Sequence, residues 1–234
     1  MDSKQEIRER IWKKLVDENV DRFPKPIKGR IPNFDGSNIA AEKLTEVSEF
    51  KSSKVIKVNP DYAQISVRKA VLDEGKKLIM PTPRLREGFL FLDPNKIEID
   101  DYRKASTIKH SFRFGEKISP EDIPEIDLIV CGSVAVTEEG VRVGKGGGYS
   151  DLEFAILVEL GKIRKEIVIC TTVHDLQVID EAPVSDHDFT VNIISTPNRV
   201  VKAEGKWNRP VGILWDILPE EKISQIPILE KLRA

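Results

Sequence analysis

The sequence predicts an α/β fold: a three-layer sandwich with a mostly parallel, Rossmann-like sheet, in a single domain with an N-terminal helical extension. Three observations predict it. Short apolar runs, Lys54–Val58, Lys77–Met80, Asp127–Cys131 and Glu166–Cys170, read as strands buried on both faces. Stretches with helical spacing alternate with them. A glycine-rich segment, Gly140–Gly148, lies between a buried strand and an apolar helix, where sheets of this kind bind ligands.

The elements follow in order. Ser3 and Glu6 make a capping-box pattern, and Ile7, Ile11 and Leu15 with Trp12 and Val16 form one apolar stripe, so an amphipathic helix comes first. It ends before Phe23-Pro, because proline opposes helix at and before its own position. Gly29–Gly36 is dense in turn residues. Ser37 caps a second helix running to about Phe50. Lys54–Val58 is a strand, and Ser66–Glu74 a helix stopped by Gly75. Lys77–Met80 is a strand closed by Pro81 and Pro83, and Gly88–Leu92 a further strand. The mixed stretch 93–124 receives no assignment. After Asp127–Cys131 comes an irregular or hairpin piece, Ser133–Val143, then the strongly apolar helix Tyr149–Leu160 with Gly161 as its stop. Glu166–Cys170 and Phe189–Ile194 are the last strands. Residues 1–218 read as one domain and 219–234 as a tail, either a short helix or an extended arm. Trp207 and Trp215 read as packing residues.

Composition bounds the function. The chain has 37 basic and 39 acidic residues and a net charge of −2, which argues against a wide nucleic-acid footprint. Cys131 and Cys170 sit in apolar runs and read as reduced core residues of a cytoplasmic protein. The charged stretch from Asp2 predicts no leader peptide, and no apolar run reaches the length of a membrane span. His110, His174 and His187 lack the spacing of metal ligands, and Asp186-His-Asp188 reads as a polar turn. Composition leaves the oligomeric state open.

The glycine segment carries the chemistry. Glycine lets backbone N–H groups turn inward and approach a ligand closely. The helix after it offers N–H groups with no partner inside the helix. Together these make an anion site, most often for phosphate. Lys145 and Arg142 add charge, and Asp151 in the first turn can hold a magnesium ion bridging phosphate oxygens. Two common nucleotide patterns fail. Glu139 stands where a P-loop needs glycine and Gly146 where it needs a hydroxyl, and Tyr149 stands where the dinucleotide pattern needs its third glycine. A flexible glycine turn with a solvated lysine is the competing reading.

Asp127-Leu-Ile-Val, a turn ending in Gly140, and Arg142-Val-Gly-Lys-Gly-Gly-Gly-Tyr149-Ser-Asp151 resemble the 5-formyltetrahydrofolate cyclo-ligases, or methenyltetrahydrofolate synthetases. Phe23-Pro-Lys-Pro-Ile27, Gly29-Arg-Ile-Pro-Asn-Phe-Asp-Gly36, Val58-Asn-Pro-Asp61 and Pro81-Thr-Pro-Arg-Leu-Arg86 resemble the synthetase-domain-containing branch of that family. The resemblance covers roughly Lys4 to Val201. It implies an ATP- and Mg2+-dependent ligase of one-carbon metabolism that turns 5-formyltetrahydrofolate into 5,10-methenyltetrahydrofolate, ADP and phosphate. By that resemblance Gly144, Lys145, Gly146, Gly147 and Gly148 cradle the ATP phosphates, with Arg142 and Tyr149 beside them. Lys145 and Arg142 are the catalytic cations, Asp151 is the metal ligand, and Lys4 and Arg8 reach the nucleotide. Asp61, Tyr62, Gln64 and Arg84 are the implied contacts to the folate-like substrate.

The chain departs from the family pattern on the folate side. Asp61 and Gln64 stand where the family has Glu followed by Thr. Cys131-Gly-Ser-Val-Ala-Val-Thr137 lacks an expected aromatic and acid, and Ser150 replaces the second tyrosine. Two further readings therefore stay open. One keeps the phosphate site and changes the metabolite, for example to a thiamine-related compound. The other is a non-catalytic nucleotide- or RNA-binding protein, against which the absence of an RNP1-like aromatic string counts. Arg30 and Asn33 are candidates for ligand contact, with a structural turn as the other reading.

Overall fold

The computed structural model describes residues 2–205 and 209–233, and Trp207 lies outside the described residues. The first helix, α1 (Lys4–Asp17), starts with the expected capping box: the Ser3 hydroxyl accepts from the Glu6 amide while the Glu6 carboxylate accepts from the Ser3 amide. Two short strands, β1 (Asp21–Arg22) and β2 (Asn33–Phe34), pair antiparallel. The single helix expected from Ser37 to Phe50 is divided into α2 (Ser37–Thr45) and α3 (Ser48–Ser52). Val47 takes an extended backbone at the break, and Phe50 is fully buried.

The remaining elements build the sheet and its covers. They are β3 (Val55–Val58), α4 (Ile65–Asp73), β4 (Lys77–Pro81), β5 (Phe89–Leu92), α5 (Tyr102–Ala105), α6 (Ile108–Phe114), β6 (Glu116–Ile118) and β7 (Leu128–Cys131). Next come β8 (Ala135–Thr137), β9 (Arg142–Val143), α7 (Tyr149–Glu159), β10 (Val168–Thr172) and β11 (Val178–Ile179). Last are β12 (Ile193–Ser195), β13 (Val200–Lys202), α8 (Glu220–Ser224) and α9 (Pro227–Arg233).

The main sheet has eight strands in the order β13-β12-β10-β7-β3-β4-β5-β6. Its five central strands, β12 to β4, are parallel, and the antiparallel β13, β5 and β6 finish its edges. Successive strand residues face opposite layers. Val55, Ile79, Ile129 and Ile169 pack toward α7, α8 and α9, while Ile56, Leu78, Leu128 and Cys170 pack toward α2 and α4. The result is the three-layer α/β sandwich expected. The run Phe189–Ile194 is strand only from Ile193, because the Val191 amide is taken by the Gly140 carbonyl at 2.9 Å.

Helix α7 is apolar nearly all round and buried from Leu152 to Leu157, as a helix inside the core must be. A second sheet, β11-β8-β9, lies beside the first, and α1 packs Ile7, Ile11, Trp12 and Leu15 against Val134, Ala135, Val141 and Val143 around it. Burying side chains of that size stabilises by about 1.5–3 kcal/mol each, enough to hold α1 in place. The stretch 219–233 contributes Ile223, Ile226, Ile228 and Leu229 to the core on the α7 side. Among the described residues no helix is long and apolar enough to cross a membrane.

Candidate active site

From β3 the chain runs to β4 on one side, while β7 lies on the other, so the direction of strand addition reverses between β3 and β7. Parallel sheets leave a crevice beyond the carboxyl ends of the strands at such a point. A cavity of about 690 Å³ lies there. It falls within the roughly 300–1,000 Å³ typical of small-molecule sites. The β3 end supplies Asn59, Pro60, Asp61 and Tyr62 to its wall, and the β4 end supplies Thr82, Pro83 and Arg84. Gly144 to Gly148 and the first turn of α7 form the opposite wall, and Lys4 and Arg8 of α1 close one side.

The glycine loop needs its glycines. Gly146 and Gly148 have φ of +98° and +64°, the left-handed region. Gly148 is the N-cap of α7 and offers no capping side chain, so the first-turn N–H groups are left for a ligand. A Cβ on Gly146 would lie 3.3 Å from the Arg8 guanidinium. Arg8 donates from Nε to the Gly144 carbonyl at 2.7 Å and so holds the loop from beneath. Burial, then the Arg142 charge, draws the Arg8 pKa below its ordinary value. Lys4 donates to Asp188 and to Ser185.

Arg142 is buried at the loop's foot. Its Nη1 donates to the Gly132 carbonyl at 3.0 Å and its Nη2 to Asp151 Oδ1 at 3.0 Å, while Phe189 lies 4.5 Å from the guanidinium carbon. Its Nε is buried without a partner, a donor the fold leaves unused. Lys145 reaches across the mouth to Asp61, Nζ to Oδ1 at 3.2 Å. Tyr62 stands half-exposed with its ring edge-on to Phe23, centroids 5.1 Å apart. Arg84 lies in the wall at φ +57°, followed by Leu85 at φ +56°. Two successive non-glycine residues in that region store strain, a mark of functional loops.

The structure therefore brings Lys4, Arg8, Asp61, Tyr62, Arg84, Arg142, the glycine loop, Tyr149 and Asp151 around one cavity. It does not bring Gln64 there. Gln64 is fully buried and donates from Nε2 to Thr172 Oγ1 at 3.0 Å, because the turn before α4 points it under the sheet edge. Arg30 lines the cavity, whereas Asn33 donates to the Phe23 carbonyl at 2.7 Å and serves the turn.

Sequence reasoning passed over a buried polar chain beneath the site. Lys57 on β3 donates to Glu153 on α7 and to Asn59 Oδ1 at 2.8 Å, and Asn59 Nδ2 donates to Ser150 Oγ at 2.8 Å. Burial pushes the Glu153 carboxyl above the usual carboxylate range, and Lys57 pulls it back. The signal was present: a lysine inside a buried strand and one acid inside an apolar helix. Arg68, also fully buried, donates from Nη1 to the Asp61 carbonyl at 3.0 Å and to that of Asn59, fixing the turn that presents Asp61 and Tyr62.

The residues suit a magnesium nucleotide. Backbone N–H groups and six Lys and Arg side chains around the cavity meet an anion's needs. Among the described residues no three His, Cys, Asp or Glu side chains cluster as a metal cage. Magnesium held through phosphate oxygens and waters needs only one or two carboxylates, and Asp151 stands where one would serve.

Residues 1–197 match the 5-formyltetrahydrofolate cyclo-ligase family model. The chain belongs to the 5-formyltetrahydrofolate cyclo-ligase family. Within the cyclo-ligase family, it is 43% identical over 99% of its length to a mouse methenyltetrahydrofolate synthase domain-containing protein, of which it spans 63%. The human protein of that name is 42% identical over 99% of the chain, which spans 62% of it. The chain thus spans less than two thirds of these relatives. A 5-formyltetrahydrofolate cyclo-ligase of Mycolicibacterium smegmatis is 24% identical over 63% of the chain and 74% of that protein. The fold is shared with the 5,10-methenyltetrahydrofolate synthetase of Aquifex aeolicus, at TM-score 0.53 and 21% identity, covering 92% of this chain and 99% of that one.

Proposed function

We propose that this chain is an ATP- and Mg2+-dependent cyclo-ligase that closes 5-formyltetrahydrofolate, or a modified folate, to the 5,10-methenyl form with release of ADP and phosphate. One observation carries the reading. The cation-rich glycine loop and the Asp61–Tyr62 turn face each other across one cavity, so two ligands can meet between them.

The chemistry asks little of the protein. ATP phosphorylates the formyl oxygen, the neighbouring folate nitrogen attacks the formyl carbon, and phosphate leaves. No protein nucleophile is needed. The protein aligns two ligands and stabilises charge on the transferring phosphoryl group. Gly144 to Gly148 hold the phosphates with backbone N–H groups. Lys145 exchanges Asp61 for the phosphoryl oxygens, and Arg142 fixes the loop's foot. Asp151 holds magnesium, which neutralises phosphate charge when bound. Tyr62, Arg84 and the freed Asp61 face the folate-like substrate.

A second reading keeps the phosphate chemistry and changes the substrate. The withdrawal of Gln64 from the cavity favours it, because one expected folate contact is then missing. Both readings meet one experiment. The purified protein is mixed with ATP, magnesium and 5-formyltetrahydrofolate, and the ultraviolet band of the methenyl product is followed. An ATP-dependent band supports the folate reaction. Nucleotide binding with no band favours the other metabolite, and failure to bind nucleotide rejects both.

A further inference from the structure

One acid of α7 is buried in the core. From Leu152 to Leu157 every residue is buried, and Glu153 is the charged one among them. Its Oε2 accepts from Lys57 of β3, which is buried as well. Its Oε1 takes no hydrogen bond from a described residue, yet it is not sealed away, because Glu153 lines the large cavity. Removing two charges from water costs about as much as their attraction returns, so apolar side chains often fill such a place equally well. A buried pair with one oxygen left open to a cavity therefore points to a use beyond packing.

The pair lies where the two walls of the cavity meet. From Lys57 the chain runs into Asn59 and Asp61 on one wall, while α7 starts directly after the glycine loop on the other. Asn59 joins the two, accepting from Lys57 and donating to Ser150 in the first turn of α7. Lys145 and Asp61, themselves paired across the mouth, both act electrostatically on Glu153. Glu153 thus sits in the floor between the loop and the Asp61–Tyr62 turn.

We propose that Glu153 is a catalytic base, whose Oε1 takes the proton that the attacking folate nitrogen loses as the ring closes. The inference rests on the cyclo-ligase reading above and adds a residue to it. The attacking nitrogen is a secondary amine. When it meets the phosphorylated formyl carbon, a C–N bond forms and the nitrogen becomes positively charged. Its N–H bond then breaks, and the proton passes to the carboxylate. The C–O bond to phosphate breaks last, its electron pair leaving with phosphate, and the methenyl ring keeps one positive charge. Burial pushes the Glu153 carboxyl above the ordinary carboxylate range, and Lys57 limits the rise. A base that is ionised yet takes a proton near neutral pH needs both effects. Asp61 and Lys145 are the other charges that bear on it, and the Cys131 thiol of β7 is held protonated by burial.

Glu153→Gln keeps an acceptor for Lys57 and cannot take the proton. Rapid-quench single turnovers with ATP, magnesium and 5-formyltetrahydrofolate follow ADP and the methenyl band together. In the wild type both are expected to rise at one rate. In Glu153→Gln ADP comes first and the band follows about a hundredfold or more slowly, since a general base supplies roughly 10²–10⁴ in rate. The KM for ATP stays the same. The wild-type kcat falls in acid as Glu153 takes up a proton, and the variant lacks this limb. A merely structural Glu153 slows both signals together and leaves the acid limb in place, which overturns the assignment, as does a variant that turns over like the wild type. If Glu153→Gln does not fold, Glu153→Asp carries the test. Withdrawing the carboxylate by one carbon also delays the band behind ADP, and simultaneous signals there overturn the assignment. A wild type that binds ATP and forms no band defeats the folate reading itself, and the base falls with it.

Discussion

Arg142 Nη2 and Asp151 Oδ1 lie 3.0 Å apart at the foot of the glycine loop. The cation that fixes the loop is thus paired with the carboxylate we propose as the magnesium ligand. Arg142 is nearly fully buried, so removing its partner leaves an uncompensated charge. Asp151→Ala should lower stability by about 3 kcal/mol, read from the denaturant midpoint. Asp151→Asn keeps an oxygen acceptor and should cost less than half of that. Both should lose the magnesium dependence of nucleotide binding. Three proteins of equal stability would contradict the pairing.

Lys145 offers the opposite case. Its side chain is 43% exposed, and exposed ion pairs contribute roughly 0–1 kcal/mol. Lys145→Ala should therefore melt like the wild type while nucleotide affinity falls about tenfold or more, as loss of a phosphate contact implies. An altered melting temperature with unchanged affinity would make Lys145 structural.

The division between Arg142 and Lys145 was hidden in the sequence, where both are simply cations near glycine. Burial separated them, and burial depends on Gly132 and Phe189, which are distant in number. The central strands and α7 were legible because parallel-sheet strands and a core helix are apolar all round. Asn192 was not: its amide bonds to Ile169 and its Oδ1 accepts from the Ile169 amide, fixing the start of β12. The Lys57–Glu153 pair required knowing that β3 faces α7. The tail from Pro219 read as either a short helix or an extended arm and proves helical, and nothing local says that Lys222 meets Gly147.

Gly140 should be the least replaceable glycine in the signature. It has φ +91°, and a Cβ there would lie 2.2 Å from the Val191 carbonyl oxygen, a backbone atom that cannot step aside. Gly140→Ala should cost about 3 kcal/mol or more, by strain and by displacing the segment through Asp188. Gly161→Ala serves as the control, since its Cβ position is open and only its φ of +63° is strained. Equal losses in the two variants would remove the clash as the cause.

His174 should make stability fall in mild acid. Burial holds its pKa below 6.5, against the pull of Asp175 and Asp35. Its Nδ1 accepts from the Leu176 amide at 3.2 Å, which a proton there would prevent. Between the folded pKa and 6.5 the unfolded chain binds more protons than the folded one, so stability rises with pH through that window. The stabilisation is complete above 6.5 and is lost as pH falls through the folded value. His174→Asn keeps a capping acceptor and should flatten this part of the profile. A profile that His174→Asn leaves unchanged would assign the acid loss to other groups.

Arg84 lets strain and function be separated in one residue. It occupies φ +57° in the wall that faces the glycine loop, where glycine would sit without steric cost. Relief of that strain is offset in part by the greater freedom of an unfolded glycine. Arg84→Gly should therefore leave stability unchanged or raise it by about 0.5 kcal/mol. The same variant removes the guanidinium that we propose faces the folate-like substrate. Its KM for that substrate should rise about tenfold or more with nucleotide affinity unchanged, as loss of a charged contact predicts. Arg84→Lys separates charge from shape, because it retains the strained backbone and one cation. If Arg84→Gly is stabilised and binds the substrate as well as the wild type, the strain at this turn serves packing of the buried Leu85 rather than the ligand.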